Sequence, residues 1–247
     1  MTEEIKNKIV VKSNELIQKK RSDLSLRQQK ILLLLIAQIQ PNDDDFKEYE
    51  FSIKEFCNVC GLSIGGKEYE EIWREIVNIT QIKIKDVRLS NGERTVLSWI
   101  EKPYYMEKEG RVRIRLDKDM KPFLLNLKEN FTQYELFYTL CMKSKYSVRL
   151  YELICAAHYH PDEEYHHFYT LDDIRELLSV SGYELYKNLK ARVLLPAFKE
   201  INAYTDKEVA FKERYRGRKI IGIDMHIKTK NVTEKMEIWK KIDDKLS

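Results

Sequence analysis

Apolar positions along this chain follow two periods, near 3.6 and near 2, and the periods alternate in the same order twice. Residues 26–40 hold the run Ile31-Leu32-Leu33-Leu34-Leu35-Ile36-Ala37, too uniformly apolar for a surface helix, which predicts a buried one. Tyr49-Glu50-Phe51 then alternates as a short strand. Ser52-Ile53-Lys54-Glu55 follows as a capping box, in which the hydroxyl accepts from the third helical N–H and the carboxylate accepts in return. A two-turn helix ends at Gly61, and a longer amphipathic helix covers 69–79. Alternating strands close the half, at 82–87 and 94–100, with Ser90-Asn91-Gly92-Glu93 between them as a hairpin turn. Val112, Ile114 and Leu116 mark a third strand.

About 118 residues later the order returns. An apolar helix at 147–159 precedes Phe168-Tyr169, the box Thr170-Leu171-Asp172-Asp173, a short helix, Gly182 and a longer helix at 183–201. Strands at 209–215 and 219–226 flank the turn Arg216-Gly217-Arg218. Helix, helix-turn-helix, then β-hairpin is the order of a winged helix, and its repetition in register predicts an α+β fold of tandem winged-helix domains related as an internal repeat. Two further boxes, Ser25-Leu26-Arg27-Gln28 and Thr132-Gln133-Tyr134-Glu135, predict helix starts at 26 and 133. The expected division is 1–130 for association and auxiliary DNA contact, 131–230 for the main DNA binding, and 231–247 for a C-terminal helical tail. No Gly/Ser linker separates the domains near 127–131. Met236, Trp239, Ile242 and Leu246 give the tail a helical spacing that predicts packing back onto the protein.

Charge sharpens this picture by its location. Net charge is only +4, but between Leu185 and Lys230 twelve cations face five acids, a local excess larger than that of the whole chain. A positive surface confined to one third of the chain suggests contact with phosphates. On the helix at 183–201, Leu185, Leu189, Val193, Ala197 and Ile201 form the predicted core stripe. Lys187, Asn188 and Ala191 lie away from it, with Lys190 and Arg192 at its flanks. Lysine and arginine suit guanine O6 and N7, and asparagine suits adenine, so Lys187, Asn188, Lys190 and Arg192 are candidate DNA contacts. The alternative for Lys190 and Arg192 is an alkyl stem laid beside the core with the charge in water. The hairpin adds Lys212, Arg214, Arg216, Arg218 and Lys219, with Gly217 at its tip. The first half's equivalent helix is acidic, with Glu70, Glu71 and Glu75 against Arg74, which makes it a poor major-groove reader. There, Lys83, Lys85, Arg88 and Arg94 on the strands are the candidate contacts. No apolar run approaches the roughly 18 residues of a membrane span, and the start lacks a leader's apolar core, so a cytoplasmic protein without membrane contact is expected.

Separated blocks, among them Ser147-Val148-Arg149-Leu150-Tyr151-Glu152-Leu153, Gly217-Arg218-Lys219, Leu24-Ser25-Leu26 and residues 10–17, resemble the replication initiators of iteron plasmids. Ser147-Val148-Arg149-Leu150-Tyr151-Glu152-Leu153 is similar to the motif that opens their second winged helix. The stretch from Arg192-Val193-Leu194-Leu195-Pro196 to Ile201-Asn202 resembles the end of their recognition helix, and Gly217-Arg218-Lys219 their wing turn. Val10-Val11-Lys12-Ser13-Asn14-Glu15-Leu16-Ile17 and Leu24-Ser25-Leu26 match the opening of their first domain. The resemblance implies binding of direct repeats in double-stranded origin DNA, opening of an adjacent A·T-rich stretch and recruitment of host replication proteins such as a helicase or initiator. It also implies self-association through the first domain, with dimers repressing their own gene. This chain departs at Ala191, where the family usually has a cation.

Other chemistries find part of their residue sets in this chain. His158-Tyr159-His160 with Tyr183-Glu184-Leu185-Tyr186-Lys187 is the residue set of a rolling-circle nickase, but the two histidines end a helical pattern, where their side chains would diverge. Cys57-x-x-Cys60 has zinc spacing without a second pair, and His158, His160, His166 and His167 cluster in a predicted loop that could bind metal weakly, though a structural or incidental role is the expectation for both. No catalytic set, cofactor or metal is therefore expected. A winged-helix repressor with no replication role is the remaining alternative, which residue chemistry alone does not separate from an initiator.

Overall fold

The computed structural model describes residues 5, 7–19, 23–88, 92–157 and 164–246 of the 247-residue chain. The Asn91 turn and the His158 and His160 pair lie outside the described residues. The chain forms two compact units, Met1–Cys141 with Lys245–Ser247, and Met142–Asp244. Among the described residues no helix is long and apolar enough to cross a membrane.

In the first unit, β1 (Ile9–Ser13) and α1 (Asn14–Lys19) lead to α2 (Leu26–Ile36). Then come β2 (Glu48–Ser52), α3 (Ile53–Cys60), α4 (Gly66–Ile79), β3 (Lys83–Arg88) and β4 (Arg94–Ser98). Strands β5 (Tyr104–Met106) and β6 (Arg111–Arg115), α5 (Lys121–Leu124), β7 (Phe131–Glu135) and α6 (Phe137–Leu140) complete it. Helix α2 starts at the full capping box of Ser25 and Gln28, and every residue from Lys30 to Ile36 is buried. The buried Lys30 is satisfied because its Nζ donates to the Leu140 carbonyl at 2.6 Å. Ser52 caps α3, accepting from the Glu55 N–H.

Two expectations for this unit are corrected. Thr132 starts no helix. It lies on β7, which pairs antiparallel with β1, and its hydroxyl donates to Asn14 Oδ1 at 2.6 Å. Burial alternates along the strand, with Thr132 and Tyr134 inside, so the period of 2 prevailed over the cap pattern. The second correction concerns the returning strands. The β2 strand pairs with β6 in the sheet order β2-β6-β5, and β3–β4 form a separate two-stranded ribbon. The pair that occupies the wing's place is therefore β5–β6, with the turn Glu107–Glu109 and Gly110 between them.

The second unit comprises α7 (Lys145–Ala157), β8 (Tyr165–Thr170) and α8 (Leu171–Leu177). A long helix follows in three pieces, α9 (Tyr186–Leu189), a π turn (Lys190–Leu194) and α10 (Leu195–Tyr204). Strands β9 (Lys207–Arg216) and β10 (Lys219–Thr229) and helix α11 (Val232–Leu246) end it. Thr170 and Asp173 make the predicted capping box. The sheet order is β8-β10-β9, the counterpart of β2-β6-β5, so β8 lies beside the return strand of the hairpin.

The Ser147–Leu153 block is structural. Ser147, Val148, Leu150, Tyr151, Glu152 and Leu153 are buried. Arg149 Nε donates to the Leu177 carbonyl at 3.2 Å, and Tyr151 to Asp206 at 2.8 Å. Burial holds the Tyr151 phenol well above its usual range. Lys230 Nζ, also buried, donates to the Asn202 and Thr205 carbonyls at the end of α10. In α11, Ile238 and Ile242 are buried, whereas Met236, expected in the packed stripe, is 58% exposed.

Candidate nucleic-acid interface

The helix expected from residue 183 begins at Tyr186, and Leu185, expected in its core stripe, is 70% exposed. Pro196 explains the next departure from a regular period. It has no N–H for the Arg192 carbonyl, and its ring crowds that carbonyl in a regular helix. The chain answers with a wide turn, in which Leu195 N–H reaches back five residues to the Lys190 carbonyl. The inserted residue shifts the register, so both Val193 and Leu194 are buried, along with Leu189, Ala197, Phe198 and Ile201. Lys187, Asn188, Ala191 and Arg192 are left together on the exposed side. Upstream, Arg175 fixes the turn that leads in, donating to the Glu184 carbonyl at 2.8 Å and to Asp172 at 3.2 Å.

Glu213 on β9 joins this helix to the hairpin, and sequence reasoning missed it. Its carboxylate accepts from Lys190 Nζ at 2.7 Å, Tyr186 at 2.9 Å and Tyr215 at 2.6 Å. These donors, Lys190 first, hold the carboxyl at about 2, below its ordinary 4.5. Burial, and then the same carboxylate, push the Tyr186 phenol well above 10. Lys190 also lies over the Phe211 ring, 5.9 Å from its centroid. Lys190 is thus committed to an internal contact, unlike Lys187 and Arg192, which have no ion-pair partner among the described residues. The signal that could have found this was the i, i+4 spacing of Tyr186 and Lys190, opposite a carboxylate on the next strand.

The hairpin divides by face. Phe211, Glu213 and Tyr215 alternate with Lys212, Arg214 and Arg216. The first set includes the residues that meet the helix, and Lys212 and Arg214 point to the other face of the ribbon. Arg214 is held there by a bidentate pair with Asp224, its Nε at 2.8 Å, and lies 4.2 Å from the Phe168 ring centroid. At the tip, Gly217 occupies the first central turn position with φ +61°, as a type II′ hairpin turn requires. Arg216, Arg218 and Lys219 around it are exposed, with no ion-pair partner among the described residues. Gly222 lets β10 approach β8 closely, since a Cβ there would sit 2.2 Å from the Tyr169 carbonyl oxygen.

The first-unit candidates lie on the separate β3–β4 ribbon. Lys83 Nζ donates to Ser98 Oγ at 2.7 Å and to the Thr80 carbonyl at 3.0 Å, and Lys85 and Arg94 are exposed. Glu68 and Glu71 of α4 turn to α2, where Arg27 donates to them at 2.7 Å and 2.9 Å, while Glu70 is exposed. Cys57 and Cys60 are free thiols, and burial pushes them to about 11 and about 12.

Comparison with known proteins gives the family and the fold. Residues 9–155 match the family model described as initiator replication protein, WH1, and residues 170–227 match initiator Rep protein, WH2. A replication initiation protein of Escherichia coli is 23% identical over 220 residues, which is 84% of this chain. The chain spans 66% of that relative's length. The crystal structure of the Pi initiator protein in complex with iteron DNA superposes with a TM-score of 0.75 at 19% identity, covering 92% of this chain and 99% of that one. Domains 2 and 3 of RctB superpose with a TM-score of 0.51 at 12% identity, covering 86% of each chain. At these identities, the two structures speak for the fold.

Proposed function

Because the chain belongs to the initiator replication protein family, with both of its winged-helix domains, we propose that it binds direct repeats of a replication origin through the second unit. The observation that carries the reading is the free charge on adjoining elements. Lys187 and Arg192 are exposed on the helix, and Arg216, Arg218 and Lys219 on the hairpin tip, while Glu213 holds helix and hairpin together. In this reading Lys187, Asn188 and Arg192 address base edges in the major groove, and the tip cations neutralise phosphates or enter the minor groove. Lys190 and Arg214 position these elements through Glu213 and Asp224. The solved Pi initiator, seen with iteron DNA, supports this assignment by its shared fold.

The larger cycle belongs to the same proposal. Residues 1–130 serve association and add contacts through Lys83, Lys85 and Arg94. The second unit, rather than all of 131–230, binds the repeats, since β7 pairs with β1 of the first unit, and the tail from 231 braces the binding part. Repeat-bound protein opens a neighbouring A·T-rich stretch and recruits host replication proteins, and a dimer represses its own gene. No step in this cycle breaks a covalent bond. Protection mapping on the native replicon tests the reading: regularly spaced direct repeats are the expected footprint, and a lone palindrome would favour a dedicated repressor. Metal-dependent nicking of origin single strands, lost in Tyr183→Phe, would point to an enzyme instead.

A further inference from the structure

The outer face of the second unit's sheet carries a cluster that DNA binding does not use. His166 and His167, expected in a loop, lie on β8, where alternation sends them to opposite faces. His167 stays with Tyr165, whose hydroxyl is 3.0 Å from its Nδ1. His166 stands directly opposite His226 in the β8–β10 register, their rings stacked with centroids 4.3 Å apart. Glu164, just before β8, places Oε2 2.7 Å from His226 Nε2. One ligand atom from each of the three residues lies within 4.8 Å of the others.

We propose that Glu164, His166 and His226 bind a divalent transition-metal ion of the zinc class. Two imidazoles and a carboxylate form the donor set that borderline ions prefer, whereas magnesium and calcium favour oxygen. The backbone holds the two histidines as direct cross-strand neighbours, so their ordering is in place before the ion arrives. Their ring planes are 3° from parallel, and closure on an ion takes rotation of a ring about χ2, a torsion with a broad well. On the third strand, Ala210 faces His226 with only a methyl group, leaving room for water in the remaining coordination positions. The other charges nearby are already engaged: Lys228 with Glu208 at 3.0 Å, and Asp224 with Arg214. An ion here would tie β8, the strand that feeds α8, to β10, the return strand of the hairpin whose tip carries free cations.

The test is calorimetric titration of zinc chloride into the full-length, tag-free, chelator-treated protein. One ion per chain is expected, and His166→Ala or His226→Ala should weaken binding by about tenfold or more. Zinc should also raise the unfolding midpoint of the wild type but not of His226→Ala. Both histidines are on the sheet surface, so the variants should fold, which circular dichroism checks. Cobalt(II) in place of zinc should give d–d bands without an intense thiolate charge-transfer band. Absence of stoichiometric binding, binding unchanged in both histidine variants, or a thiolate band lost in Cys57→Ser would overturn the proposal.

Discussion

The two units place matching elements around opposite arrangements of charge. In the first, charge is spent inside. Arg27 takes up Glu68 and Glu71, Glu75 accepts from Ser25, and Arg111, Arg113 and Arg115 of β6 face Glu50, Glu48 and Asp45. Its wing-position turn is acidic, with Glu107 and Glu109 around Lys108. In the second unit, two internal pairs, Lys190–Glu213 and Arg214–Asp224, fix helix and hairpin, and the remaining cations on their exposed ends stay free. The candidate DNA surface is therefore marked less by its count of cations than by which of them the fold has left unpaired. Exposed pairs add little stability, so free charge is a weak cost to the fold and a large resource for phosphate binding.

The comparison can be tested in order of expected effect. Arg192→Ala should cost about 1–3 kcal/mol on a specific repeat and much less on random DNA, measured by competition binding. Equal losses on both would demote Arg192 to a phosphate contact. Gly222→Ala should destabilise the second unit by about 1–3 kcal/mol in denaturant melts, because the Tyr169 carbonyl occupies the space a methyl needs, while the first unit's transition stays in place. Glu213→Gln should weaken specific binding severalfold by loosening helix from hairpin, without removing any free cation. The same clamp carries a pH signature. The Glu213 carboxyl sits at about 2 in the folded protein against an ordinary 4.5, so its contribution is present above 4.5 and fades as pH falls from there toward 2. A Glu213 carboxyl resonance titrating near 4.5 in the folded protein would remove the clamp. Smallest of all, Arg216→Ala should lower the salt slope of binding by about one unit, while Lys108→Ala on the first unit's turn leaves it unchanged. Equal slopes for both variants would erase the distinction between the units.

Much of this was legible because it was local. The caps at Ser25, Ser52 and Thr170 and the turn at Gly217 are each specified within four residues, and the structure has them where the spacing put them. Thr132 shows the limit. Its cap pattern was complete, yet the backbone pairs with Lys12 on β1, far earlier in the chain, and only that distant partner decides the matter. The first unit's wing was misplaced for a related reason, since the Asn-Gly hairpin signal says that two strands pair but not which sheet they join. In the candidate site, alternation and helical spacing found the free cations. They could not separate Lys187 from Lys190, because Glu213 reaches Lys190 from another element. Pro196 was visible throughout, and its effect on the register ahead of it went unread.

That proline also limits how the surface could be moved elsewhere. Grafting Lys187, Asn188 and Arg192 onto a straight helix, at the same sequence spacing, would swing Arg192 and everything beyond it around the axis relative to the first two. A designer borrowing this candidate surface would have to carry over the five-residue turn of backbone and its proline, or respace the side chains to compensate.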